Sequence, residues 1–173
     1  MNTFSDIKRL FPIFQHHPDL VYLDSAATAL KPSAVIDAER SYLEQYSANI
    51  ARGLYPLAER ATEAFEAARR TVAKFIQANS PEEIIFTSGT TDSINLAARL
   101  IEEGIEPEST ITVTELEHHS NFLPWKELAR RKSARFQTIP MTDDGFIDSD
   151  ALISAINPKT TVVAFSAVSN VTG

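Results

Sequence analysis

The sequence predicts an α/β chain built on a parallel sheet, and three observations carry that reading. From residue 83 to residue 168, short apolar runs alternate with helix-period segments in the order β-α-β-α-β-α-β. Alternation at such short spacing sets strands parallel, with helices on their faces. Hydrophobic residues make up 43% and charged residues 23% of the 173, the balance of an ordinary folded protein rather than a disordered one. Only 5 glycines occur, too few for a collagen-like or flexible low-complexity chain. No internal repeat and no linker rich in Gly, Ser or Pro interrupts the pattern.

Taken in order, residues 3–10 suit a short amphipathic helix, closed by Pro12 and Pro18. Residues 20–24 read as a short strand-like piece followed by Ser25-Ala26-Ala27-Thr28. Lys31-Pro32-Ser33 opens a helix to about Tyr46, and a loop with Arg52-Gly53 follows. Pro56 fits the first position of a long helix. Its apolar face is Leu57, Ala61, Ala64, Ala68, Val72 and Phe75, at three- and four-residue spacing. Strands are then expected at 83–87, 110–114, 135–139 and 161–168, and helices at 91–102, 121–132 and 149–156.

Charge and composition exclude several functions. The net charge is −7 and the pI about 5.1, with no basic run to neutralise a phosphate backbone, so nucleic acid is not an expected partner. Without cysteine, these residues hold no disulfide, thiolate metal site or cysteine nucleophile. The N-terminus lacks the long apolar core of a signal peptide, and no window approaches the ~20 apolar residues of a membrane span. A cytoplasmic protein without membrane contact is the expectation. The sequence stops just past an expected strand, where open parallel sheets hold their ligands, and so reads as the N-terminal part of a longer protein.

Four motifs could carry chemistry. Ser88-Gly89-Thr90-Thr91 lies between a strand and a helix start, where free N–H groups and hydroxyls suit a phosphate; a tight turn with a helix cap is the alternative. Glu117-His118-His119-Ser120-Asn121 follows the next strand. An imidazole there could stack on an aromatic ligand or transfer protons, or the segment could be a polar loop with a cap. Adjacent histidines diverge, so no metal is expected. Asn170, in Ser169-Asn170-Val171-Thr172-Gly173, could bond a carboxylate or a ring oxygen, or close an Asx turn. Arg52 could meet an anion or stay solvated. Three of the four fall at carboxyl ends of strands. Together they describe a site for a phosphorylated aromatic cofactor.

Several segments occur in order with family-like spacing. They are Tyr22-Leu23-Asp24-Ser25-Ala26-Ala27, Arg52-Gly53, Ala61-Thr62, Ser88-Gly89-Thr90-Thr91, Glu117-His118-His119-Ser120-Asn121 with Pro124-Trp125, and Val168-Ser169-Asn170-Val171-x-Gly173. From Tyr22 onward the chain resembles class V aminotransferase-fold, pyridoxal-phosphate enzymes. Within them it most resembles the Suf-type (group II) cysteine desulfurases and selenocysteine lyases. The resemblance implies the type I pyridoxal-phosphate fold. Residues 1–55 would be an N-terminal arm and small-domain or interface segment, and 56–173 an incomplete first part of the large cofactor-binding domain. By the same resemblance Thr90 and Thr91 bind the cofactor phosphate. His118 stacks on the pyridine ring and assists proton transfer, as the catalytic residue. Asn170 approaches cofactor and substrate carboxylate. Ala26, Ala27 and Arg52 line the substrate side or a neighbouring subunit's site. The implied substrate is L-cysteine or a related amino acid, giving L-alanine and an enzyme persulfide. A homodimer, a sulfur-acceptor protein and a role in sulfur metabolism and iron–sulfur cluster assembly are also implied.

The chain carries Ala51 where close relatives commonly have His before Arg-Gly. None of its lysines (Lys8, Lys31, Lys74, Lys126, Lys132 and Lys159) stands in a Ser-x-His-Lys context, so none is expected to hold the cofactor covalently. Other class V activities (selenocysteine lyase, kynureninase-like, epimerase) stay open, as does a non-catalytic α/β ligand-binding module.

Overall fold

The structure is a computed structural model that describes residues 4–173. Its contacts divide the chain into two compact units, one ending at Ile85 and the other running from Phe86 to Gly173.

The N-terminal unit is helical. Helix α1 spans Phe4–Lys8, and Thr3, its expected start, lies outside the described residues. Helix α2 spans Ile13–His16 and α3 spans Ser33–Gln45. Helix α4, Pro56–Ile76, starts on its proline and ends at Gln77, whose left-handed backbone turns its N–H back onto the carbonyls of Ala73 and Lys74. Ala58, Ala61 and Ala73 are its buried positions. The loop before α4 is pressed against its first turn. A Cβ on Gly53 would stand 2.2 Å from that of Ala58, so only glycine fits. Thr62 Oγ1 accepts the Ala51 N–H at 3.0 Å and donates to the Ala58 carbonyl at 2.7 Å. The Arg52-Gly53 and Ala61-Thr62 motifs are thus one local device.

Two expected strands, at 20–24 and 83–87, do not form. Residues 20–24 are irregular. The Tyr22 hydroxyl donates to the carbonyls of Asp24 and Thr28, and the Ala27 and Thr28 N–H groups return to Asp24. These bonds close a turn and leave no ladder. The 83–87 strand is replaced by a 3₁₀ turn at Pro81–Glu83 and a stretch that belongs to no described strand. The Ser80 side chain caps that turn, and the Ile84 carbonyl is taken by the Arg69 guanidinium. A strand exists only by its partners, and no described strand pairs with these residues.

The C-terminal unit holds the sheet. Helix α5 spans Thr90–Ile101, strand β1 Thr110–Thr114, helix α6 Leu123–Lys132, strand β2 Arg135–Ile139, helix α7 Ser149–Ala155 and strand β3 Thr160–Ala164. The order is β2-β1-β3, parallel throughout, with Val113 opposite Thr138 on one side and Ala164 on the other. Every residue of the central strand is buried, as expected where helices cover a parallel sheet. Ile111 and Val113 pack with Ala98 of α5 and with Trp125, Leu128 and Ala129 of α6. Leu128 is fully buried, which contributes roughly 1.5–3 kcal/mol. Helix α6 begins two residues later than its pattern suggests. Residues His119–Asn121 form a 3₁₀ turn, and Pro124 fixes the first helical turn. Strand β3 stops at Ala164 rather than residue 168, because the Ser166 N–H leaves the ladder for the Glu117 carboxylate.

Thr112, fully buried in β1, has a hydroxyl without a hydrogen-bond partner among the described residues. Thr112→Val keeps the shape and removes that cost, so it should raise the thermal midpoint, by an amount equivalent to about 1 kcal/mol. A lowered midpoint would show that the hydroxyl is satisfied.

Candidate functional site

The candidate site lies at the carboxyl edge of the sheet, wholly within the C-terminal unit. Three chain segments reach it: the turn into α5, the segment after β1 and the segment after β3.

The turn into α5 is shaped by Gly89, whose φ of 149° and ψ of 178° lie in a region open chiefly to glycine. Nothing stands within 4 Å of a Cβ built there, so conformation rather than space demands the residue. Ser88 donates both its N–H and its hydroxyl to the Asp92 carboxylate, at 3.3 and 3.2 Å, and Thr87 Oγ1 lies 2.6 Å from Ser93 Oγ. These bonds lock the turn without using the Thr90 or Thr91 hydroxyls, and no side chain caps Gly89. The first N–H groups of a helix have no partner within it, so α5 presents free N–H donors with two hydroxyls beside them.

After β1, His118 begins a 3₁₀ turn. Its Nδ1 accepts the Ser120 N–H at 3.1 Å and lies 2.8 Å from Ser120 Oγ. A nitrogen that accepts an amide N–H carries no proton, so the neutral ring holds its proton on Nε2. The His118 and His119 rings are 6.1 Å apart and inclined by 43°. His118 lines two clefts. One, of about 470 Å³ between α5 and α6, it shares with Thr91. The other, of about 450 Å³, it shares with Asn170 and Glu117. His119 lines both as well, but its ring makes no hydrogen bond among the described residues. Thr90 is the first residue of α5 and is not among those lining the first cleft. Ala26, in the turn closed by Tyr22, its neighbour Ala27, and Arg52, in the loop before α4, all belong to the N-terminal unit. No lysine lines either cleft.

Glu117 has no role that the sequence alone predicts, yet it is the most connected polar group of the site. It is 8% exposed. Its Oε1 accepts from Thr114 Oγ1 at 2.7 Å and from the Ser166 N–H at 2.7 Å. Its Oε2 accepts from Asn121 Nδ2 at 2.6 Å and from Ser166 Oγ at 2.7 Å. Asn121 in turn accepts Trp125 Nε1–H at 2.9 Å. Burial pushes the Glu117 carboxyl up. The bonds from Ser166, Thr114 and Asn121 outweigh this and hold it below the usual carboxylate range. The sequence signal was a carboxylate and an amide four residues apart, closing a turn; its distant partner, Ser166, carries no local mark.

Residues 21–173 match the family model for class-V aminotransferases. The chain belongs to that family. It is 45% identical to a probable cysteine desulfurase of Streptomyces coelicolor over 96% of this chain and 42% of the relative. A cysteine desulfurase from Thermococcus onnurineus, in its apo structure, superposes with a TM-score of 0.85 at 33% identity over 94% of this chain and 40% of the other. A cysteine desulfurase from Escherichia coli gives 0.83 at 36% identity, over 99% of this chain and 43% of the other. The fold is thus that of the type I pyridoxal-phosphate enzymes, and the chain spans about two-fifths of the length of these relatives.

Class-V aminotransferases depend on pyridoxal phosphate, and the donor set suits it. Free helix N–H groups and the hydroxyls of Thr90 and Thr91 match a phosphate, a flat ring at His118 matches a pyridine, and the Asn170 amide matches a carboxylate. Among the described residues no group of His, Asp and Glu is gathered to hold a metal, and no helix is long and apolar enough to cross a membrane.

A carboxyl whose folded pKa is depressed stabilises the fold above its unfolded value, and that contribution fades as pH falls through the folded value. Glu117→Gln should therefore cost about 1–3 kcal/mol at neutral pH, and the gap from wild type should narrow on acidification. Denaturant midpoints across pH check this; a gap constant with pH would contradict it.

Proposed function

We propose that the whole protein is a pyridoxal-phosphate-dependent cysteine desulfurase. It takes sulfur from L-cysteine and leaves L-alanine and an enzyme persulfide. The observation that carries the reading is His118, set between a cleft shared with the α5 N-terminus and a cleft shared with Asn170. The family match and the relatives' names support it.

When bound, pyridoxal phosphate supplies an electron sink that labilises bonds at the substrate's α-carbon. The N–H groups at the start of α5, with Thr90 and Thr91, would hold its phosphate. His118 would face its ring and hold or pass a proton at Nε2, with Ser120 keeping Nδ1 as the acceptor. Asn170 donates to the substrate carboxylate. Arg52, Ala26 and Ala27 belong to the substrate side, by their own or a neighbouring subunit. With no cysteine among the 173 residues, the persulfide forms on a residue outside them. Residues 1–55 serve as an arm and small-domain or interface segment, and 56–173 as the first part of the cofactor-binding domain. A homodimer, a sulfur-acceptor protein and a cytoplasmic location complete the proposal.

In the full-length enzyme, His118→Ala should shift the visible cofactor band and lower kcat about 100-fold or more. His119→Ala should have the smaller effect on both, because its ring makes no hydrogen bond to the turn. Absorption spectra and steady-state alanine production measure the two variants; a larger effect from His119→Ala on both readouts would reverse the assignment.

A further inference from the structure

We propose that Glu117 is a positioning residue that fixes His118 relative to Asn170 by tying the end of β1 to the end of β3. The inference rests on the desulfurase reading for its kinetic consequence, and on this chain's own geometry for the rest.

The carboxylate sits where three segments meet. Thr114 is the last residue of β1, Asn121 closes the 3₁₀ turn that His118 begins, and Ser166 lies two residues beyond β3. All three donate to Glu117, Ser166 through both its N–H and its hydroxyl. His118 is the next residue along the chain. Ser166 opens the segment that ends in Ser169 and Asn170, and Asn170 lines the same cleft as His118 and Glu117. Strand pairing sets the register of β1 and β3 only as far as Val113 and Ala164. Beyond it, each segment would be free to move against the other. Glu117 carries the registration past the end of the ladder. Trp125 anchors the device to the core of the unit, because its Nε1–H fixes the Asn121 amide and so aims Nδ2 at the carboxylate.

The pattern needs a carboxylate and not merely a polar side chain. All four partners donate. Glutamine in the same rotamer must turn an NH₂ toward either the Ser166 N–H or Asn121 Nδ2. The first is a backbone donor that cannot invert, and the second is held by Trp125. One tie is lost in either orientation, although volume is kept. Moving the charge within the network should repair it. In Glu117→Gln with Asn121→Asp, the glutamine amide donates to the new carboxylate, whose other oxygen still accepts from Trp125, while the glutamine oxygen accepts from Thr114 and Ser166.

The test uses the full-length protein as wild type, Glu117→Gln and the double variant. In cofactor-free protein, the imidazole ¹⁵N and ¹H resonances of His118 report its setting. With pyridoxal phosphate bound, visible circular dichroism reports how the ring is held, and kcat and KM for L-cysteine report the consequence. Glu117→Gln should move the His118 resonances, change the dichroic band, lower kcat about 10- to 100-fold and raise KM severalfold. The double variant should recover most of each. Unmoved His118 resonances in a folded Glu117→Gln protein would overturn the proposal, as would kinetic losses that follow only the loss of thermal stability. A wild-type protein that releases no alanine from cysteine would overturn the desulfurase reading instead, and the cofactor-free resonances would still decide the role of Glu117.

Discussion

At the end of the central strand a buried carboxylate gathers four hydrogen bonds, and the arrangement of the site depends on it. A parallel sheet defines the relative height of its strands only while the ladder lasts. Functional side chains of such sheets lie just past that point, on segments with no backbone pairing of their own. Glu117 meets this constraint by trading the desolvation of one charge for donors from three segments. A carboxylate left with fewer partners would be costly at 8% exposure. With this set the carboxyl is held below its usual range, and it joins the turn that carries His118 to the segment after β3.

The rest of the C-terminal unit serves that edge. Full burial of β1 between its neighbours and its helices makes the strand a rigid base. Helix α6 supplies Trp125, which belongs at once to the apolar core and to the polar network. Helix α5 brings its N-terminus to the same end of the sheet, with Gly89 permitting the turn and Asp92 holding Ser88 in it. One layer of packing therefore supports both a free helix terminus and an oriented imidazole.

Much of this unit was legible in the sequence, because its helices and strands announce themselves by period and by β-branched runs. Helix α5 and strands β1 and β2 fell where the pattern set them. What could not be read locally was pairing. Residues 20–24 and 83–87 have strand-like composition, yet find a tyrosine-closed turn in one case and an arginine on the carbonyl in the other. Strand β3 is shorter than its apolar run, which continues past Ala164, because the Ser166 N–H turns to a carboxylate 49 residues away. The same distance hid Glu117. A side chain whose meaning lies in a partner far along the chain has no local signature. The glycine-hydroxyl turn and the histidine pair were visible for the opposite reason, since their chemistry is written in adjacent residues. Ala26, Ala27 and Arg52 rest on the family resemblance, and the geometry of the C-terminal unit bears only on Thr90, Thr91, His118 and Asn170.

The central claim is that the carboxyl edge of this sheet is a built cofactor site with its phosphate end at α5 and its ring at His118. A crystal structure of the full-length protein grown with pyridoxal phosphate tests it most directly. The account predicts the phosphate within hydrogen-bond distance of the Thr90 and Thr91 N–H groups and hydroxyls, and the pyridine ring stacked on the His118 imidazole. It also predicts Glu117 still joined to Thr114, Asn121 and Ser166. A phosphate bound away from α5, or a ring resting on His119 with His118 turned aside, would contradict it.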